Sequence, residues 1–127
     1  MKILLDTCDF LWFITGDASL PAKTRQEVQA PANEVFLSVV SVWELVIKHR
    51  LGKLPLPQSP DVYVPAQRER HRIQSLSLDE SAVKRLVSLP TLHRDPFDRM
   101  LVCQALEQGL HLASSDPMVR QYPVPLC

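Results

Sequence analysis

The sequence predicts an α/β fold, a three-layer α/β/α sandwich around a small central parallel sheet. Two observations carry this expectation. Short apolar runs alternate with amphipathic segments along the chain, the order that βαβ crossovers require. The composition is also that of an ordinary globular domain: 127 residues, 46% hydrophobic and 22% charged, with 14 basic and 14 acidic side chains that cancel. That balance excludes collagen-like, low-complexity and charge-dominated disordered classes. It also removes whole-molecule attraction as an argument for a polyanionic partner, so any such partner must be met by a local patch. Residues 1–127 are read as a single domain.

The elements follow in order. Lys2–Asp6 is a short apolar run ending in an acid, read as a buried strand, and Phe10–Ile14 is a short helix broken at Gly16 and Asp17. Pro21 suits the first turn of a small surface helix over Ala22–Gln29. Val35–Ser38 is the second strand. Val39, Val42, Trp43, Val46, Ile47 and Leu51 then recur at three-to-four spacing, the pattern of an amphipathic helix that Gly52 closes. The segment PLPQSP, residues 55–60, reads as an extended connection because of its three prolines, and residues 62–72 are polar and basic. Ile73–Leu78 alternates as a third strand, and Ser81–Leu89 is a helix ended by Pro90. Asp95-Pro96 opens a helix that buries Met100, Leu101, Ala105 and Leu106 and stops at Gly109, and Leu112–Ser114 is the fourth strand.

Cys8, Cys103 and Cys127 make an odd set without C-x-x-C spacing, neither a disulfide framework nor a thiolate zinc site, so a reducing cytoplasm is expected. Cys8 and Cys103 read as small buried hydrophobes. Asp6 and Asp9 interrupt the N-terminal apolar run, which therefore does not read as a signal peptide, and no apolar stretch approaches the roughly 20 residues of a membrane span. A soluble protein with no membrane partner is expected.

The acids carry the functional signal. Asp95 has a structural reading as a helix N-cap with Asp98 at N3, Ser41-x-x-Glu44 reads as a capping box, and Asp116 can initiate a turn before Pro117. Asp6, closing an apolar strand, is costly unless a cation or a donor meets it. In an open parallel sheet, ligands bind outside the carboxyl ends of the strands. Acids converging there would repel one another unless a cation neutralised them. Oxygen ligands without a histidine or cysteine set favour Mg²⁺ or Mn²⁺, ions suited to phosphate esters.

The segments LLDT (residues 4–7), SVWELVIK (41–48), RDPFDRML (94–101) with Ala105, and SSD (114–116) stand in an order and spacing that resembles the PIN domain, in particular the VapC-type toxins of bacterial toxin–antitoxin pairs. RDPFDR is the form of the third motif in one PIN branch. The resemblance runs over almost the whole chain and implies a metal-dependent endoribonuclease. Asp6, Glu44, Asp98 and Asp116 then match the catalytic, metal-binding acids, with Asp95 an additional acid of this branch and candidate ligand. Asp98 is favoured over Asp95 as the third ligand because the helix pattern after it fits the family better. Thr7 and Ser114 match supporting hydroxyls, Ser114 standing where threonine is usual. The resemblance further implies an Mg²⁺ (or Mn²⁺) cofactor, an RNA substrate cut by a metal-activated water to leave a 5′-phosphate and a 3′-hydroxyl, a homodimer, and a small VapB-type antitoxin lying across the acid cleft.

Other residues support more than one reading. Arg99 and Arg94 are candidate phosphate contacts or surface arginines. His49, His71, His93 and His111 are scattered without ligand spacing and read as surface or partly packed. Trp12, Phe13 and Trp43 suit the core or a dimer face. Lys48, Arg50, Lys53, Arg68, Arg70 and Arg72, against only Asp61 and Glu69, form either a solvated face or an RNA-backbone contact. Two other classes fit less well. An aspartyl phosphatase needs D-x-D after the first strand, where this chain has Asp6-Thr7-Cys8-Asp9; a signalling receiver needs an acceptor Asp after a middle strand, where Ser38 stands. The remaining alternative is a PIN-fold interaction module with little or no nuclease activity that acts by binding an antitoxin or RNA.

Overall fold

Strand β1 (Lys2–Leu5) lies inside the sheet of this computed structural model, which describes residues 1–127. Ile3, Leu4 and Leu5 are wholly buried, as expected where both faces of a parallel strand are covered. β1 pairs in parallel with β2 (Glu34–Ser38) on one side and with β4 (His111–Ala113) on the other, and β2 pairs with β3 (Gln74–Leu76), giving the order β3-β2-β1-β4. The chain therefore builds outward in one direction from β1 through β3, then crosses back to place β4 on the opposite flank. The carboxyl ends of β1 and β4 flank the resulting switch point.

Helices cover both faces. Ile3 and Leu5 pack with Phe10 and Phe13 of α1 (Thr7–Thr15), Val28 of α2 (Ala22–Gln29) and Val64 of α4 (Pro60–His71). Leu4 and Leu112 pack with Ala82 of α5 (Glu80–Lys84) and with Met100, Leu101 and Val102 of α6 (Pro96–Gln108). Helix α3 (Val39–Arg50) contributes Val40 to one cluster and Leu45 to the other. Gln104 of α6, fully buried, accepts a hydrogen bond from Ser38 Oγ and donates to the Ser77 carbonyl at 3.1 Å, tying α6 to the ends of β2 and β3.

The three-layer architecture and the four strands agree with the sequence expectation, but several local readings need correction. Residues 60–71 form a helix, not an extended link followed by an unassigned polar stretch. Pro60 occupies the tolerated first turn, whereas Pro65 lies inside the helix, where an interior proline costs about 3 kcal/mol. Burial of Tyr63 and Val64, worth roughly 1.5–3 kcal/mol for each large apolar side chain, offsets that cost. The segment after β3 is a short helix continued by a 3₁₀ turn at Arg85–Val87, not one helix to Leu89. Ser41-x-x-Glu44 is not a capping box: Ser38 caps α3 by accepting from the Val40 amide at 3.0 Å, and Ser41 and Glu44 fall inside the helix. Cys8 is exposed rather than buried, while Cys103 is buried as expected.

Candidate active site

At the switch point the chain leaves β1 through Asp6, whose carboxylate caps α1 by accepting the Asp9 amide at 2.7 Å. One residue later, Thr7 Oγ1 lies 2.7 Å from Glu44 Oε1 and 3.0 Å from Ser41 Oγ, so a buried hydroxyl fixes α3 against α1 and orients the glutamate. Lys48, one turn along α3, pairs with the other Glu44 oxygen. Asp95 caps α6, its Oδ1 accepting the Phe97 amide at 2.8 Å and the Asp98 amide at 3.3 Å, and this places Asp98 in the first turn. Beyond β4, Ser114 Oγ accepts the Asp116 amide at 3.1 Å and turns that carboxylate back toward the cleft.

These elements bring Asp6, Thr7, Glu44, Asp95, Asp98 and Asp116 around one cleft of about 450 Å³. Ser114 stands at its edge and interacts with Asp6. Arg99 is not among the lining residues; its guanidinium reaches the Leu89 carbonyl at 3.5 Å instead. Arg94 is exposed. The basic stretch is divided. Lys48 is held by Glu44, whereas Arg70 and Arg72 stand beside Asn33 and Val35, where β2 begins, at the strand ends opposite the cleft. Trp12 lines the cleft, Phe13 is core, and Trp43 is exposed and packs edge-to-face on Phe97 at 4.9 Å.

Two cleft residues escaped the sequence reading. Asp9, only 1% exposed, receives Ser115 Oγ at 3.4 Å on one oxygen and has no hydrogen-bond partner for the other. Its signal was the D-x-x-D spacing, N-cap to N3 of α1. His93 lies between Asp98 and Asp116, with Nε2 3.0 Å from a carboxylate oxygen of each. The Asp95 amide donates to its Nδ1 at 3.1 Å, so the proton sits on Nε2, directed at both acids. Nothing local in the sequence marks this arrangement, which depends on β4 and α6 meeting.

Crowding shows in the protonation equilibria. Burial, reinforced by the charge of Asp9, pushes the Asp6 carboxyl up to about 7. Burial together with Asp95, Glu44 and Asp6 pushes Asp98 up to about 7 as well. Burial also raises Asp9. At Asp116 burial acts upward, but the Met118 amide and His93 outweigh it and hold the carboxyl below its ordinary value. Strong perturbation by desolvation plus neighbouring like charge, inside a cleft, makes this the candidate functional site. The donor set fits a hard divalent cation: it is rich in carboxylate oxygen, one oxygen of the buried Asp9 is unpartnered, and carboxylate oxygens of Asp98 and Asp116 lie within 4.8 Å of each other.

Comparison with known proteins bears on the family and the fold. The family model described as PIN domain matches residues 3–125. Ribonuclease VapC16 of Mycobacterium tuberculosis is 42% identical over 59 residues, a stretch that covers 46% of this chain and only 42% of that relative's length. Among solved structures, VapBC2 from Rickettsia felis, bound to a DNA fragment from its promoter, superposes with a TM-score of 0.73 at 14% identity over 99% of this chain and 96% of the other. DNA-bound VapBC from Salmonella typhimurium gives 0.67 at 17% identity, again over 99% and 96%. VapBC-1 from nontypeable Haemophilus influenzae gives 0.65 at 18% identity over 95% and 91%. At these identities the likeness shows the fold.

Proposed function

We propose that this chain, which belongs to the PIN domain family, is an Mg²⁺- or Mn²⁺-dependent endoribonuclease of the VapC toxin type. The observation that carries the reading is the convergence of Asp6, Glu44, Asp98 and Asp116 on one cleft at the sheet's switch point. The ribonuclease relative and the VapBC neighbours support it.

Asp6, Asp98 and Asp116 would hold the cation, with Asp9 beside Asp6 and Asp95 at the rim. The chemistry such an ion supplies when bound is a lowered water pKa and neutralisation of phosphate charge. The chain's own residues do the remainder. Thr7 and Lys48 hold the Glu44 carboxylate ionised and oriented toward the cleft, where it would serve the cation as a ligand directly or through a water. Asp95 and Ser114 act as positioning residues, fixing the backbone that presents Asp98 and Asp116. His93 places a donor between those two acids. In-line attack on the RNA phosphodiester would leave a 5′-phosphate and a 3′-hydroxyl.

The same reading extends to partners: a VapB-type antitoxin whose segment crosses the cleft and a homodimer, acting in the cytoplasm. Exposed Trp43, backed by Phe97, gives the dimer an apolar contact, and the three cysteines are free. No helix is long and apolar enough to cross a membrane. The test is cleavage of a panel of structured RNAs with Mg²⁺ or Mn²⁺, abolished by chelator and by Asp6→Asn, with the product ends mapped. Metal-independent cleavage, or none, would refute the nuclease reading.

A further inference from the structure

Next to the acid cleft lies a second cavity, of about 320 Å³, whose lining includes Lys23, Thr24, Ser114, Ser115 and Arg120. Ser115 lines both cavities, so they are neighbouring openings on one surface. Their chemistry is opposite. The second cavity offers two cations and the Thr24 hydroxyl; the Ser114 and Ser115 hydroxyls on its wall already serve Asp6 and Asp9, and Cys127 completes the lining.

Neither cation is held in a contact ion pair, although the charge of Arg120 is felt at Asp9. The ion pairs of the chain use Lys2, Lys48, Lys84, Arg85 and His93, and neither Lys23 nor Arg120 joins one. Glu27, one turn from Lys23 on α2, accepts from Asn33 instead, at 3.1 Å. Arg120 donates one N–H to the Ser114 carbonyl at 2.9 Å, which fixes the guanidinium beside the end of β4 and leaves its other donors open. Thr24 is only 7% exposed, and its hydroxyl makes no hydrogen bond within the chain, so it is free to donate to a ligand. Helix α2 begins here with Pro21 as N-cap and no side chain capping its first amides.

From this geometry we infer that the cavity is a phosphate subsite holding a backbone phosphodiester of the RNA strand next to the scissile bond. The inference rests on the ribonuclease reading of the adjacent cleft. A polyanion entering a cleft lined by carboxylates needs cations close by to hold its flanking phosphates. Lys48 is taken by Glu44, and Arg70 and Arg72 stand at the opposite strand ends. Lys23 and Arg120 adjoin the cleft through Ser115 and are unpaired.

The experiment measures binding of a labelled, mixed-sequence single-stranded RNA by fluorescence anisotropy in EDTA, across a salt series. Lys23→Gln/Arg120→Gln is expected to weaken binding by about a hundredfold, about tenfold for each charge-assisted hydrogen bond lost. The slope of log affinity against log salt should fall by about 0.7 for each phosphate that the variant no longer neutralises. Lys23→Arg should keep the wild-type slope. If the double variant melts below wild type, Lys23→Gln alone carries the test, because its side chain makes no internal bond. An unchanged slope, or a wild type that binds no RNA, overturns the inference. Unchanged RNA binding with abolished capture of an acidic peptide also overturns it and assigns the cavity to a protein partner. Cleavage is scored separately. A wild type that binds with the expected slope but cuts nothing sinks the nuclease reading and leaves the subsite standing, whereas a cleaving wild type with an unaltered double variant does the reverse.

Discussion

Replacing Asp6 by Asn should make the metal-free protein more stable while abolishing RNA cleavage. The Asp6 carboxyl moves from an ordinary value of 3.8 up to about 7 in the fold, driven by burial and then by Asp9. Because the folded-state carboxyl titrates above the unfolded one, its ionisation opposes folding. That penalty is absent below about pH 4, grows as pH rises, and is complete above about pH 7. The difference corresponds to a ceiling of about 4 kcal/mol at pH 8. Asparagine keeps the volume and can still accept the Asp9 amide, but it loses part of the gain because Asp9 and Ser114 were arranged around a carboxyl group. A net stabilisation of about 1–3 kcal/mol is expected, or about 4 °C in Tm per kcal/mol. Urea and thermal melts in EDTA from pH 4 to pH 8 measure it. Wild type should lose stability across that range, and Asp6→Asn should lose less, the remaining slope coming from Asp98, which also titrates near 7. Mn²⁺ should reverse the order by stabilising wild type more than the variant. An Asp6→Asn protein less stable than wild type at pH 8 in EDTA would refute the argument that acid crowding strains the apo site.

Three further outcomes follow from the same geometry. Thr7→Val removes the buried hydroxyl shared with Glu44 and Ser41, and should cost about 1–3 kcal/mol in urea melts and lower cleavage sharply, whereas Thr7→Ser should restore both. His93→Ala deletes the donor between Asp98 and Asp116, so the metal-free Tm should fall and the gain in Tm on adding Mn²⁺ should exceed that of wild type; an unchanged metal increment would show that His93 does not compete with the cation for the two carboxylates. Cys8 is exposed, yet burial and then the charges of Asp6 and Asp9 push its thiol up to about 11. Alkylation at pH 8 should therefore be slower than for a free thiol, by about tenfold once the greater nucleophilicity of a high-pKa thiolate is counted, and should accelerate when Mn²⁺ neutralises the acids.

What the sequence made legible was whatever local periodicity encodes. The buried strand before Asp6, the amphipathic stretch through Trp43 and the Asp95-Pro96 helix start each carry their signal within a few residues. Helix α4 was not legible, because a polar segment with prolines at 60 and 65 becomes helical only when the sheet offers Tyr63 and Val64 a place to be buried. Ser41-x-x-Glu44 misled for a related reason. The spacing is the same at a helix start and one turn further in, and only the end of β2 at Ser38 decides between them. His93 gave no signal at all, since its neighbours are 5 and 23 residues away and meet only in the folded sheet.

The acids also show why structural and functional readings of one residue need not compete. Asp6 and Asp95 both cap helices, yet their surroundings differ. Asp6 is 4% exposed at the switch point, where desolvation acts on it first and the charge of Asp9 next. Asp95 is half-buried, and both first-turn amides of α6 converge on its Oδ1. A carboxylate so engaged is suited to fixing the helix start, and what it fixes is Asp98, whose Oδ2 is turned toward His93 and whose carboxyl is pushed up by burial and then by Asp95, Glu44 and Asp6. Within the proposed cation site these surroundings favour Asp98 as the third ligand, with Asp95 as the cap that aims it. The pair can be separated by experiment. Asp98→Asn should remove most of the Mn²⁺-induced rise in Tm, while Asp95→Asn, which preserves the capping oxygen, should retain most of it. Equal losses in the two variants would return Asp95 to the ligand set.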